Sequence, residues 1–205
     1  MDAPVKLMPL RDPFRILVSA VLSTRTQDPV TAAASARLFR LARDPRALAR
    51  LNPARIQKLI FPVGFYRTKA KLLPRLARML LVRWDGNVPR TMAELLELPG
   101  VGRKVASIVL SQGYGLPAIA VDTHVQRISN RLDLVRTSRP IDTEHELMEV
   151  LPRRVWKDWN QLIVALGQTI CRPRQPLCSV CPLSRLCPKR GVILNGRSQK
   201  LDARG

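Results

Sequence analysis

Four times in its first 53 residues the chain sets an aspartate or asparagine directly before a proline: Asp12-Pro13, Asp28-Pro29, Asp44-Pro45 and Asn52-Pro53. Such pairs start helices. The short polar side chain accepts a bond from an unpaired amide of the first turn, and proline suits the first helical position, which needs no N–H. Apolar residues then recur at a helical period. Phe14, Leu17, Val18, Val21 and Leu22 form one stripe, and Val30, Ala34, Leu38 and Leu41 form another. Short helices are expected over 45–51 and 53–60. A longer one is expected from Lys69 to Trp84, with Leu72, Leu73, Leu76, Leu80 and Leu81 facing inward. Pro74 should mark its start or a kink, and Asp85-Gly86-Asn87 its end. Thr91 with Glu94 makes a capping box for a helix over 92–97. Further helices are expected over 103–113, 123–132, 143–151 (capped by Asp142) and 155–170. No window alternates as a strand does, so the expected fold is all-α.

One stretch of this helical pattern departs from ordinary packing. In Leu98-Pro99-Gly100-Val101-Gly102-Arg103-Lys104 two glycines flank one apolar residue, and a cationic pair opens the next helix. Glycines permit positive φ and close backbone approach. Amides at such a turn, before a helix, point outward and can bind an anion. Lys104 falls in the first helical turn. The positive end of the dipole disfavours an ammonium there, which is one route to a nucleophilic amine. A plain helical joint with a solvated lysine would show the same residues.

Charge favours an anionic partner. Lys and Arg number 35 against 15 Asp and Glu, a net charge of +20, spread along the chain rather than held in one tail. Nucleic acid leads the list of partners for such a body. Aromatics are 4% of residues, so an aromatic base-stacking sheet is not expected. No continuous apolar span and no signal-peptide core stands out, so a soluble intracellular protein is expected. Nothing in the pattern signals oligomerisation, and a monomer is expected.

All four cysteines, Cys171, Cys178, Cys181 and Cys187, lie in one short segment. Clustered cysteines with none left over read as metal ligands in a reducing compartment. A structural zinc site uses two close-spaced pairs, and here only Cys178 and Cys181 make one. Two further thiolates arriving from flanking loops suit a four-thiolate iron–sulfur cluster. The spacing favours the cluster and leaves zinc open. Arg172 and Arg174, stiffened by Pro173 and Pro176, look like phosphate contacts. Among the few acids, Asp122 in Val121-Asp122-Thr123-His124 opens a helix. It is either that helix's cap or a carboxylate that serves Lys104 as proton acceptor. His124 is a candidate phosphate contact.

LPGVGRK, then VDTH eighteen residues after the lysine, then the C-x6-C-x2-C-x5-C cluster resemble endonuclease III, a bifunctional DNA glycosylase/AP lyase of the helix–hairpin–helix superfamily. The resemblance runs from about Pro13 to Cys187. It implies a two-domain all-α fold: a six-helix barrel domain over 6–116 with its helix–hairpin–helix at about 92–111, and a cluster domain of 1–5 and 117–190, followed by a basic tail over 191–205. It implies a [4Fe–4S] cluster on the four cysteines and a duplex DNA partner that carries damaged bases or abasic sites. A cytoplasmic, nucleoid-associated location goes with that partner. Lys104 would be the nucleophile and Asp122 its activator. Removal of oxidised pyrimidines and β-elimination 3′ to the abasic site would follow. Leu98, Gly100, Val101, Gly102 and Arg103 would hold DNA phosphate.

The chain departs from the family at two positions that fill the gap left by a flipped base. Arg25 stands where a glutamine is usual, and Phe65 where a leucine is usual. Two other readings use the same residues. One is a mismatch thymine or uracil glycosylase on this fold. The other is a non-catalytic DNA-binding module with zinc on its cysteines.

Overall fold

A computed structural model describes residues 12–193. The placement of residues 1–5 with the cluster domain, and the basic tail beyond 193, lie outside the described residues. Ten α-helices appear among the described residues, and no strand. The chain divides into two compact units between Ala118 and Ile119.

The first unit holds α1 (Pro13–Ser23), α2 (Asp28–Phe39), α3 (Pro45–Arg50), α4 (Pro53–Ile60), α5 (Tyr66–Trp84), α6 (Met92–Glu97) and α7 (Arg103–Ile108). Three of the four Asp/Asn-Pro starts cap as expected. Asp12, Asp44 and Asn52 accept amides two or three residues on, at 2.7–2.9 Å. Asp28 does not. Gln27 takes the cap position, without a side-chain bond, and Asp28 lies inside the first turn. There it still complements the helix dipole. Leu41 lies past the end of α2 and is exposed, so the second stripe ends at Leu38.

Helix α5 begins at Tyr66, three residues before the expected start, and runs through Pro74. Proline there removes one amide from the ladder but is itself buried in the core of the unit. Leu73, Leu76 and Leu80 are fully buried in that core with Leu17, Leu22 and Leu38. Leu72 and Leu81 are only half-buried. The end of α5 and the start of α6 are tied together. Thr91 and Glu94 form the capping box, Trp84 Nε1 donates to Glu94 Oε1 at 3.2 Å, and Arg83 pairs with Glu97. Hydrogen bonds from Thr91 and Trp84 hold the Glu94 carboxyl below the usual carboxylate range. The helix expected over 103–113 is α only to Ile108, and then widens to a π-helix over Val109–Gly113.

The second unit holds α8 (Thr123–Arg131), α9 (Pro140–Val150) and α10 (Trp156–Thr169). Its core is Ile119, Val121, Val125, Ile128, Val135, Leu147 and Ile163. Helix α9 starts three residues before the expected 143. Asp142 is not its cap. It sits in the first turn and pairs with Arg139 at 2.6–2.7 Å.

Candidate nucleic-acid interface and cysteine site

The hairpin between α6 and α7 hides its apolar side chains. Leu98 and Val101 are buried. The Val101 amide closes the turn by donating to the Leu98 carbonyl at 3.1 Å. The amides of Gly100 and Gly102 donate to no group among the described residues. The two glycines are needed for different reasons. Gly100 has φ +79, and a Cβ there would lie 2.5 Å from Leu72 Cδ1. Gly102 has an extended backbone, φ −103, that any residue adopts, and the space above it is open. Lys104 follows in the first turn of α7, half-buried.

Ile108 and Gln112 continue the Lys104 face by one and two turns. They line a cavity of about 1060 Å³ with Ser19, Ser23, Asp28 and Ser35 of α1 and α2.

Arg25 and Phe65 lie far apart in sequence and adjoin in the structure. Both are exposed and both hold left-handed backbone, at φ +53 and +57. That conformation is strained for residues with a Cβ. The Arg25 guanidinium carbon lies 5.4 Å from the Phe65 ring centroid. Gly64 makes the approach possible, because a Cβ there would meet the Arg25 carbonyl oxygen at 2.2 Å. The Gly64 amide donates to Thr26 Oγ1 at 3.1 Å. Lys69 of α5 adds a further clamp that the sequence did not signal. Its buried Nζ donates to the carbonyls of Leu22 at 2.9 Å and Thr24 at 2.6 Å.

In the second unit, Asp122 caps α8. Its Oδ1 accepts both the His124 and Val125 amides at 2.9 Å. Oδ2 is not used by the cap. His124 is half-buried. Its Nδ1 lies 3.2 Å from Arg127 Nη2 and packs where a Cβ on Gly167 would be. Arg172 and Arg174 are exposed, and Arg172 Nε donates to the Thr169 carbonyl at 3.2 Å.

The four cysteines line one pocket with Arg131, Ile170, Leu177 and Lys189. The loop that brings Cys171 to Cys178 is closed by the Leu177 amide on the Ile170 carbonyl at 2.9 Å. Arg131 is buried and fixes this loop, donating to Arg172 O and Pro173 O at 2.7 Å and to Cys171 Sγ at 3.4 Å. Burial, then the neighbouring Cys171 thiol, push the Cys178 thiol up. A cation in the pocket would offset both effects. Among the described residues no three His, Cys, Asp or Glu close around a single-ion position.

Comparison with known proteins places this architecture. Residues 18–153 match the HhH-GPD superfamily of base excision DNA repair proteins. Endonuclease III of Thermotoga maritima is 48% identical over 176 residues, 86% of this chain and 83% of that protein. A solved structure of a trapped endonuclease III–DNA covalent intermediate, the estranged-adenine complex, superposes with a TM-score of 0.83. It is 37% identical, covering 92% of this chain and 88% of that one. A thermostable thymine-DNA glycosylase superposes at 0.79 with 27% identity and the same coverage. The fold is thus that of the helix–hairpin–helix base excision DNA repair proteins. Within them, the chain belongs to the endonuclease III family. No described helix is long and apolar enough to cross a membrane.

Proposed function

We propose that the chain is a bifunctional DNA glycosylase and abasic-site lyase that acts on oxidised pyrimidines in duplex DNA. The observation that carries the reading is Lys104. It stands in the first turn of α7, just past a hairpin with two undonated amides. The relative whose DNA adduct was trapped covalently has the same fold. The hairpin amides and Arg103 hold a backbone phosphate. The target nucleotide leaves the stack, and its base enters the cavity beside Ile108 and Gln112. Lys104 Nζ attacks C1′ of the sugar, and the glycosidic bond breaks with its electrons leaving on the base. Asp122 Oδ2 takes a proton from the lysine and balances positive charge at C1′. The C1′–O4′ bond then opens, O4′ taking a proton, and the resulting protonated imine acidifies the C2′ proton, whose loss breaks the C3′–O bond, expels the 3′ phosphate and cuts the strand. Arg25 and Phe65 fill the vacated gap. Arg172, Arg174 and His124 contribute to phosphate binding.

The cysteine pocket fits a [4Fe–4S] cluster better than one zinc ion. Four thiols line one pocket, and the single close-spaced pair, Cys178 and Cys181, suits a four-thiolate cluster better than the two close pairs of a structural zinc site. A bound cluster supplies folding free energy and holds the Arg172–Arg174 loop. A brown protein absorbing near about 400 nm is expected from thiolate-to-iron charge transfer. A colourless zinc protein rejects the cluster.

Borohydride reduction on abasic duplex tests the chemistry. Wild type should give a covalent adduct, and Lys104→Ala none. Equal trapping by the variant rejects Lys104 as the nucleophile. The similarity to a thymine-DNA glycosylase motivates a second arm. Excision of mismatched thymine in preference to oxidised pyrimidines would move the chain to that reading.

A further inference from the structure

Lys69 is a buried cation that the proposed chemistry does not use. It is only 6% exposed. Burial lowers its pKa to about 8, so the fold bears a desolvation cost that an apolar side chain of the same length would avoid. Its bonds run to both loops that carry the exposed pair. The Lys69 amide donates to the Phe65 carbonyl at 3.0 Å. Its Nζ donates to the carbonyl of Thr24, the residue before Arg25, and to Leu22, whose carbonyl ends α1 without a helical partner. Thr24 O also accepts Thr26 Oγ1 at 3.2 Å, and Thr26 Oγ1 accepts the Gly64 amide. Left-handed backbone at two non-glycine residues persists only where the surroundings over-determine it. Among the described residues, Lys69 is the one side chain of α5 bonded to the Arg25 loop.

We propose that Lys69 is a positioning residue. It fixes the Arg25 and Phe65 loops in the one arrangement that enters a duplex with an unstacked nucleotide. It touches neither DNA nor the reacting atoms. This rests on the proposed role of Arg25 and Phe65 as gap fillers, and it predicts a loss confined to damaged-site recognition.

The test compares full-length wild type, Lys69→Met, Lys69→Arg and Arg25→Ala. Each is titrated with an intact duplex and with the same duplex carrying a tetrahydrofuran abasic analogue opposite 2-aminopurine. Loss of two charge-assisted bonds should lower the abasic-over-intact affinity ratio by roughly tenfold in Lys69→Met. The 2-aminopurine signal should shift towards that of free DNA, with affinity for intact duplex unchanged. Lys69→Arg, which keeps the charged donors, should recover part of the ratio. If Lys69→Met does not fold, Lys69→Gln takes its place and carries the same expectation. An unchanged ratio in the variant overturns the inference, and so does equal weakening on both duplexes, which marks a merely structural lysine. Arg25→Ala separates the two layers. If it changes neither ratio nor fluorescence, the gap-filling reading itself fails. If it lowers both while Lys69→Met does not, only the role of Lys69 fails.

Discussion

The Arg25 guanidinium lies 5.4 Å from the centre of the Phe65 ring, and both residues hold positive φ. A cation held over an aromatic ring loses little freedom on binding. It carries donors and no acceptor. Guanine offers O6 and N7 together to such a fork, whereas adenine suits the mixed donor and acceptor of a glutamine. The expected outcome is faster excision of an oxidised pyrimidine opposite guanine than opposite adenine, with Arg25→Gln shifting the ratio towards adenine. A bidentate contact discriminates by about 1–3 kcal/mol, roughly 5- to 150-fold. Single-turnover rates on the two duplexes measure it, and an unmoved ratio rejects Arg25 as the reader.

Gly64, Gly100 and Gly102 separate fold from binding. At Gly64 a methyl group would meet the Arg25 carbonyl at 2.2 Å, and at Gly100 it would add strain at φ +79. Alanine at either position should destabilise by about 1–3 kcal/mol. Gly102→Ala meets open space in an ordinary conformation. It should leave stability the same or higher by about 0.5 kcal/mol, yet weaken binding to any duplex, because the methyl occupies the approach of a phosphate. Thermal melts and duplex titrations of the three variants give the comparison. A Gly102→Ala protein that binds normally removes the hairpin from the interface.

What could be read in advance was local chemistry. Asp12, Asp44, Asn52 and the Thr91–Glu94 box each act within three residues, so their roles appear directly in the letters. Asp28 obeys the same spelling, but its helix starts one residue earlier than the pair implies. The clamps were not legible. Lys69 bonds 45 and 47 residues away, and Arg131 reaches 41 and 42 residues on. No periodicity signals such bonds, because only the packed fold brings those carbonyls within reach. Gly64 carries no signal in the sequence either, since its need arises from a backbone approach 39 residues away.

Asp122 has two roles that chemistry can divide. Its cap uses Oδ1 alone. Asp122→Asn keeps an oxygen acceptor for both amides and should retain stability to within about 0.5 kcal/mol, whereas Asp122→Ala should lose about 1 kcal/mol. Both should lose excision and strand cleavage if the carboxylate acts on Lys104. Denaturation midpoints beside single-turnover rates check this. An Asp122→Asn protein of full activity would leave the residue as a cap only.

Lys69 also gives a pH signature with a definite sign. Its pKa falls from 10.5 to about 8 on folding, with burial as the cause. Below pH 8 the folded and unfolded chains both carry the ammonium, so this residue adds no slope. Between about 8 and 10.5 the folded chain has released the proton while the unfolded chain still holds it. Stability from this group therefore rises with pH across that window, by at most about 1.4 kcal/mol per pH unit for one proton. Its hold on Leu22 and Thr24 changes in the opposite sense. A neutral amine donates more weakly than an ammonium, so abasic-site recognition should fall over the same range as the fold gains stability. Lys69→Met should show neither trend. Denaturant unfolding and abasic-analogue binding, both measured from pH 7 to pH 10 as wild type minus variant, isolate the residue from every other titrating group. A difference that stays flat in both would mean that the proton never leaves Lys69 in that range.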